Sequence, residues 1–260
     1  MNQVSIIIIT YNRLDFFKKC LNSVLKTTTG VGKEILIWDN GSSDGTKDYI
    51  NEVSGKFHFI KSLFSKENIG VNAKALSFEA ALGDYIVCID DDVLELPAGW
   101  IEKMIDAFNI ESKLGYLALD VIQNEHTTGA KMNDREYTEK KYSNGITLQF
   151  GPVGGWCFMV PRKVYEIVGK LRQVKGKIFF GEDGDYIIRC RLKGYKSAIL
   201  KDIKCFHATG KYYNENYTLI FENKMKDFSS KVIDSHTIKL KSKQLLNKIK
   251  KIGKRNKGED

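Results

Sequence analysis

Two runs of carboxylates carry the most obvious chemistry in this sequence. Asp90-Asp91-Asp92 follows the apolar segment Tyr85-Ile-Val-Cys-Ile89, and Gly181-Glu182-Asp183-Gly184-Asp185 lies far downstream. Adjacent carboxylates raise the cost of one another's ionisation. A cation at the mouth of the strand would neutralise the triplet, and a hard divalent ion with oxygen ligands suits it. A solvated acidic turn that caps the next helix is the plainer alternative. Other polar groups recur where apolar runs end. They are Thr10-Tyr11-Asn12-Arg13, Asp39 in Trp38-Asp-Asn-Gly-Ser-Ser-Asp-Gly45, Glu67-Asn68-Ile69-Gly70, the glycine-rich Gly151-Pro-Val-Gly154-Gly155-Trp156, and His207.

The elements that must position these groups follow from the apolar periodicity. Val4 to Ile9 reads as a buried strand, and a helix begins near Leu14 with Phe17, Leu21, Val24 and Leu25 on one face. Glu34 to Trp38 is the next strand, and the turn after it leads to a helix over Thr46 to Val53. A third strand is expected at about Phe57 to Leu63, then a helix through Leu82, then the strand that ends in the triplet. This β-α-β-α-β-α-β order predicts an α/β, Rossmann-like, mostly parallel sheet flanked by helices. Ligands of such sheets sit outside the carboxyl ends of the strands, where Thr10, Asp39 and Asp90 fall. Beyond Pro97, a helix to about Asn109 and a strand from Leu114 to Val121 are expected, then a polar excursion or lid over 123–146. A short strand follows the glycine-rich turn, and Pro161 opens a helix to Val168. The second acidic cluster starts a helix that ends near Gly194. Tyr195 to Leu200 and Ile203 to Phe206 read as closing strands, with His207 just after them.

The chain has 260 residues and a formal charge of +9, which would suggest nucleic acid or membrane were it spread evenly. It is not. From residue 239 on there are nine basic residues against Glu259 and Asp260, a net +7, so the preceding 238 residues carry only +2. This argues against specific nucleic-acid binding by the body of the protein. The tail reads as an amphipathic helix on anionic membrane or as a disordered solubilising segment. Five cysteines, Cys20, Cys88, Cys157, Cys190 and Cys205, sit mostly among apolar residues and suit a reducing compartment. Ile6 to Ile9 is too short for a signal peptide, and no run approaches the ~18 apolar residues of a membrane span. The expectation is a cytoplasmic protein, at the inner face of the membrane if the tail binds lipid.

Taken together and in order, Val4 to Arg13, Trp38-Asp-Asn-Gly-Ser-Ser-Asp-Gly-Thr46, Glu67-Asn-Ile-Gly70, Asp90-Asp-Asp92 and Gly181-Glu-Asp183 resemble the family 2 glycosyltransferases of the GT-A fold. The resemblance covers roughly residues 4 to 210. It implies a nucleotide-diphosphate-sugar donor, an acceptor hydroxyl on a glycan, lipid-linked or protein substrate, and inversion by one direct displacement. It implies that Thr10, Tyr11, Asn12 and Asp39 hold base and ribose, with Asn68 and Gly70 completing the nucleotide pocket. Asp-x-Asp maps onto Asp90 and Asp92 around Asp91. Asp92 then ligates Mn²⁺ or Mg²⁺, Asp90 contacts the ion or the ribose, and His207 lies near metal or phosphate. Asp183 matches the general base, with Glu182 and Asp185 as competitors, and Gly154, Gly155 and Trp156 would line the acceptor side. The domain so implied spans 1–215, with a nucleotide half over 1–95, an acceptor half over 96–215 and a Lys-rich tail over 216–260.

Plainer readings exist for most of these residues. Asp39 could cap a helix, Gly70 could serve only a turn, and Trp156 could be core. Rival functions are also distinguishable. A nucleotidyltransferase wants a glycine-rich phosphate loop after the first strand, where Thr10-Tyr11-Asn12-Arg13 has no glycine. An aspartyl-nucleophile phosphatase wants its acidic pair there too. A carbohydrate-binding module would not need both acidic clusters.

Overall fold

The computed structural model describes residues 3–129, 131–176, 178–179 and 181–213. The Lys-rich tail therefore lies outside the described residues, as does the boundary expected at 215. The strands are β1 (Val4–Thr10), β2 (Lys33–Asp39), β3 (Ile60–Phe64), β4 (Tyr85–Asp90), β5 (Val93–Glu95), β6 (Leu114–Val121), β7 (Thr138–Lys141), β8 (Thr147–Phe150), β9 (Cys157–Pro161) and β10 (Lys196–His207). The helices are α1 (Leu14–Thr27), α2 (Thr46–Lys56), α3 (Asn72–Ala80), α4 (Trp100–Ile110), α5 (Arg162–Val168) and α6 (Glu182–Leu192). In the sheet the strands run β3-β2-β1-β4-β9-β6-β10-β8-β7, and β5 pairs with the end of β10.

Strands β3, β2, β1 and β4 are mutually parallel, as crossover helices require, and β6 and β10 are parallel to each other. Between these two parallel groups β9 runs antiparallel to both β4 and β6. Burial of nearly every residue of β1, β4 and β6 shows that both faces of the central sheet are covered. The fully apolar runs at these strands are thereby explained.

Register matters most for function. Thr10 lies opposite Asp39, Ile9 lies opposite Asp90, and Asp39 lies opposite Phe64. The polar ends of β1, β2 and β4 thus finish side by side at one edge of the sheet. At the opposite end Glu34 is buried and accepts from Ser5 Oγ, Leu82 N and Lys61 Nζ, each at 2.6 Å. This network ties β1, β2 and β3 to the turn before β4.

Three expectations need correction. The third strand starts at Ile60 rather than Phe57, because Phe57 closes α2 with its amide on the Val53 carbonyl. Residues 123–146 are not one long lid. They include a 3₁₀ turn at Asp134–Glu136 and β7, which pairs with β8 at the sheet edge. All four residues of β7 are exposed, so it carries no apolar signal. The two closing strands are a single one, β10, whose register shifts between Leu200 and Lys204 and whose last residue is His207.

Candidate active site

The turns after β1 and β2 are built as one unit. Asn12, with a positive φ of 50°, accepts from Ser43 N at 2.7 Å, and its own amide donates to Ser42 Oγ at 2.9 Å. Asp39, buried, accepts from Ser42 N at 3.0 Å, and the Asn40 amide donates to the Thr10 carbonyl at 2.9 Å. Asn40 also donates through Nδ2 to the Gly70 carbonyl at 3.1 Å, which brings the Asn68 to Gly70 turn alongside. Within that turn Asn68 Oδ1 accepts from Gly70 N at 2.8 Å. Gly70 has φ +59°, and a β-carbon there would fall 1.9 Å from the Ile178 carbonyl oxygen. Both facts require glycine. Thr10, Asn12, Asp39, Asn68 and Gly70 therefore do share one corner, and Tyr11 stands half-buried within it.

The triplet has divided roles. Arg13 Nη1 lies 2.9 Å from Asp91 Oδ1 and 2.9 Å from Asp92 Oδ2. Tyr213 donates a short hydrogen bond to Asp92 Oδ2, stacks on Phe16 and lies under the Arg13 guanidinium. His207 Nε2 approaches Asp92 Oδ1 at 3.2 Å, and its Nδ1 sits 2.5 Å from the Thr128 carbonyl. A carbonyl can only accept, so Nδ1 carries a proton and Nε2 is left to face the site.

Burial pushes the Asp90 carboxyl up to about 7, with Lys74 opposing and Asp92 adding to the shift. Burial has the same sense at Asp92, but the His207 hydrogen bond and charge overcome it and hold that carboxyl well below the usual range. His207 is raised to about 9, the Asp92 hydrogen bond and charge outweighing burial. Arg13 and His207 thus pair directly with Asp91 and Asp92, whereas Lys74 and His207 act on Asp90 through charge and do not offset its burial. Donor atoms of Asp90, Asp92 and His207 all lie within 4.8 Å of one another. Two carboxylate oxygens and, once its Nε2 proton has left, an imidazole nitrogen converge there and fit a divalent cation. Asp91, held by Arg13, is not part of that set.

The second acidic cluster sits at the start of α6 after Gly181, whose φ is +72°. Its three carboxylates separate cleanly. Asp185 is engaged by Arg172 at 2.8 Å and Arg189 at 3.0 Å. Glu182 is held by the buried Lys74 Nζ at 2.8 Å, and its side chain is 5% exposed. The Asp183 side chain is 23% exposed and shares the same ammonium at 3.2 Å, which leaves it as the carboxylate of the three open to a ligand while unclaimed by arginine. A β-carbon on Gly155 would fall 1.9 Å from Asp183 Oδ2, and the next residue's carbonyl, that of Trp156, accepts from Asp90 N at 2.9 Å. One short stretch of backbone thereby joins the two acidic clusters.

Trp156 itself corrects an expectation. It is 3% exposed, with its indole N–H on the Leu119 carbonyl at 3.0 Å, so its ring is core and offers no face to a sugar. Gly154 accepts from the Tyr116 hydroxyl at 3.3 Å. Sequence reasoning missed Arg13, Lys74, Thr128 and Tyr213. Only Lys74 left a trace, being a charged residue one helical turn before Phe78 on the face that α3 buries.

The family model described as Glycosyl transferase family 2 matches residues 5–169. The chain belongs to that family. It is 27% identical over 219 residues to an uncharacterized glycosyltransferase of Nostoc sp., covering 81% of this chain and 64% of the relative. A dolichol-phosphate mannosyltransferase of Pyrococcus furiosus is 28% identical over 146 residues, covering 56% of this chain and 40% of that protein. The chain thus spans less than two thirds of the length of these relatives.

Among solved structures, the mannosyltransferase PcManGT of Pyrobaculum calidifontis, in complex with GDP-Man and Mn²⁺, superposes with a TM-score of 0.59 at 16% identity, covering 81% of this chain and 58% of that one. GalNAc-T7 with UDP, GalNAc and Mn²⁺ gives a TM-score of 0.65 at 15% identity, covering 82% and 45%. S. aureus TarS 1-349 with UDP-GlcNAc gives 0.62 at 15% identity, covering 80% and 59%. The fold is GT-A. Among the described residues no helix is long and apolar enough to cross a membrane.

Proposed function

We propose that this chain is an inverting glycosyltransferase that moves a sugar from a nucleotide-diphosphate donor to an acceptor hydroxyl. The observation that carries the reading is the backbone link from Asp90 through Trp156 to Gly155, which sets the divalent-cation donors beside the carboxylate of Asp183. Asp183 is the general base. As the acceptor oxygen bonds to the anomeric carbon, its proton passes to the Asp183 carboxylate. The bond from that carbon to the donor's phosphate oxygen breaks, and its electron pair leaves with the diphosphate.

Asp90, Asp92 and His207 would hold the cation, which when bound would supply Lewis-acid stabilisation of the charge growing on the leaving group. An imidazole among the donors matches Mg²⁺ poorly, since that ion keeps oxygen ligands and water, and so favours Mn²⁺. Thr10, Tyr11, Asn12, Asp39, Asn68 and Gly70 form the nucleotide corner. Relatives of the same fold in complex with GDP-Man and with UDP-GlcNAc support a nucleotide-sugar donor. The net +7 of the segment from 239 on supports a working position near anionic lipid and a lipid-linked acceptor.

The test is a thermal-shift screen of nucleotide-sugars with and without Mn²⁺, followed by donor turnover on the hits. A Mn²⁺-dependent shift with turnover, lost in Asp92→Asn, supports the reading. Sugar binding with no turnover under any metal would replace the enzyme by a carbohydrate-binding module.

A further inference from the structure

Lys74 is buried in α3 at 5% exposure, 2.8 Å from Glu182 Oε1 and 3.2 Å from Asp183 Oδ1, with its ammonium 5.6 Å from the centre of the Phe158 ring. A buried ammonium is costly unless ionic partners satisfy it. One partner would meet that need, yet two carboxylates are supplied. Burial pushes the Glu182 carboxyl up, with Lys74 opposing and Asp183 adding to the shift, and with both carboxylates ionised the cluster of one cation and two anions carries a net charge of −1.

The two oxygens of Asp183 are not equivalent. Oδ1 faces Lys74, whereas Oδ2 lies where the side chain of residue 155 would be, 1.9 Å from a β-carbon that glycine lacks. No other residue could occupy position 155 with Oδ2 in this place. Among the described residues, Cys88 and Asp90 on β4 and Tyr116 on β6 also interact electrostatically with the cluster. Burial pushes the Cys88 thiol and the Tyr116 phenol up, so neither brings charge at neutral pH.

We infer that Lys74 is a positioning residue for the general base: it fixes Oδ1 of Asp183, so that Oδ2, above Gly155, is the oxygen that takes the acceptor's proton. Glu182 is then the permanent counterion of Lys74. When Asp183 accepts a proton the cluster goes from −1 to neutral, and Lys74 keeps an anionic partner throughout. With Asp183 as its sole partner, Lys74 would be left as an uncompensated buried charge at that moment, which would oppose the transfer. The inference rests on Asp183 being the base.

The test compares donor turnover and donor Kd in Lys74→Met, Asp183→Asn, the double variant of the two, and Lys74→Met with Glu182→Gln. The last removes cation and counterion together and guards against unfolding by an orphaned charge. Loss of the clamp misplaces the carboxylate, and turnover is expected to fall ~100-fold, in both Lys74→Met and the Glu182→Gln combination, with donor Kd unchanged. Because Lys74 acts through the Asp183 carboxylate, adding Lys74→Met to Asp183→Asn should cost less than about threefold more. An equal loss in both backgrounds overturns the inference, as does a donor Kd that weakens in step with turnover. Normal turnover by Asp183→Asn alone removes the base reading and this inference with it, an outcome read from that single variant.

Discussion

Replacing Gly155 by alanine is the perturbation whose consequence the geometry states most directly. The new β-carbon would fall 1.9 Å from Asp183 Oδ2 and 2.5 Å from Asp183 Cγ. Ordinary contact begins near 3.4 Å, so the carboxylate must retreat by roughly 1.5 Å, more than the ~1 Å displacement that can cost 100-fold in rate. The carboxylate is a side-chain end and can move, though moving strains its contact with Lys74 at 3.2 Å. Gly155 does not have a positive φ, so alanine adds no backbone strain of its own. Gly155→Ala should therefore fold with a Tm close to that of the wild type. Its turnover of donor, with water or an acceptor as nucleophile, should fall ~100-fold while donor Kd is retained. Initial rates across donor concentration, with calorimetric binding in Mn²⁺, separate these terms. Turnover within about threefold of wild type would refute the placement of Asp183 over Gly155.

Gly70→Ala should behave differently, because its obstacle is backbone. The β-carbon meets the Ile178 carbonyl at 1.9 Å and the residue sits at φ +59°, so the Val71 N to Ile178 O bond must break. Stability should drop by more than ~1 kcal/mol, and nucleotide Kd should rise together with the loss of Tm. Glu34→Ala removes the acceptor of Ser5, Leu82 N and Lys61 and should cost ~1–3 kcal/mol at pH 7 by denaturant titration. Burial alone would raise the Glu34 carboxyl, but the Lys61, Ser5 and Leu82 hydrogen bonds outweigh it and lower it. A depressed folded value means that the stabilisation is full above the ordinary glutamate value of about 4.3 and fades as pH falls through the folded value. The gap between wild type and Glu34→Ala should accordingly narrow below about pH 4, and a gap independent of pH would count against the network.

The fold was legible where the side chains repeat a simple physical pattern. The β1, β4 and β6 runs are continuous apolar blocks closed by turn residues, and buried parallel strands demand that composition. Strand β7, Thr138–Lys141, was not legible, since an exposed edge strand needs no apolar face and its lysines suit an edge. The start of β3 was misplaced because Phe57 looks like a strand residue, while its actual task is to end α2. At the site, the acidic clusters and His207 could be found from composition and order. Their partners could not. Arg13 reads as a turn residue and Lys74 as a lysine on a buried helix face, and only three-dimensional packing reveals that each contacts two carboxylates. Trp156 misled in the opposite sense, as an aromatic beside glycines reads like a sugar platform until its indole N–H is seen on the Leu119 carbonyl.

In the proposed function the site divides into a cation and leaving-group half, at Asp90, Asp92 and His207, and a proton-accepting half at Asp183. The most direct test is to measure donor Kd in Mn²⁺ and donor turnover side by side for Asp183→Asn. The predicted result is an unchanged Kd with turnover reduced by ~100-fold or more, since general-base catalysis typically contributes 10²–10⁴. Turnover near the wild-type rate, or a loss of donor affinity that matches the loss of turnover, would contradict the division of labour between the two acidic clusters.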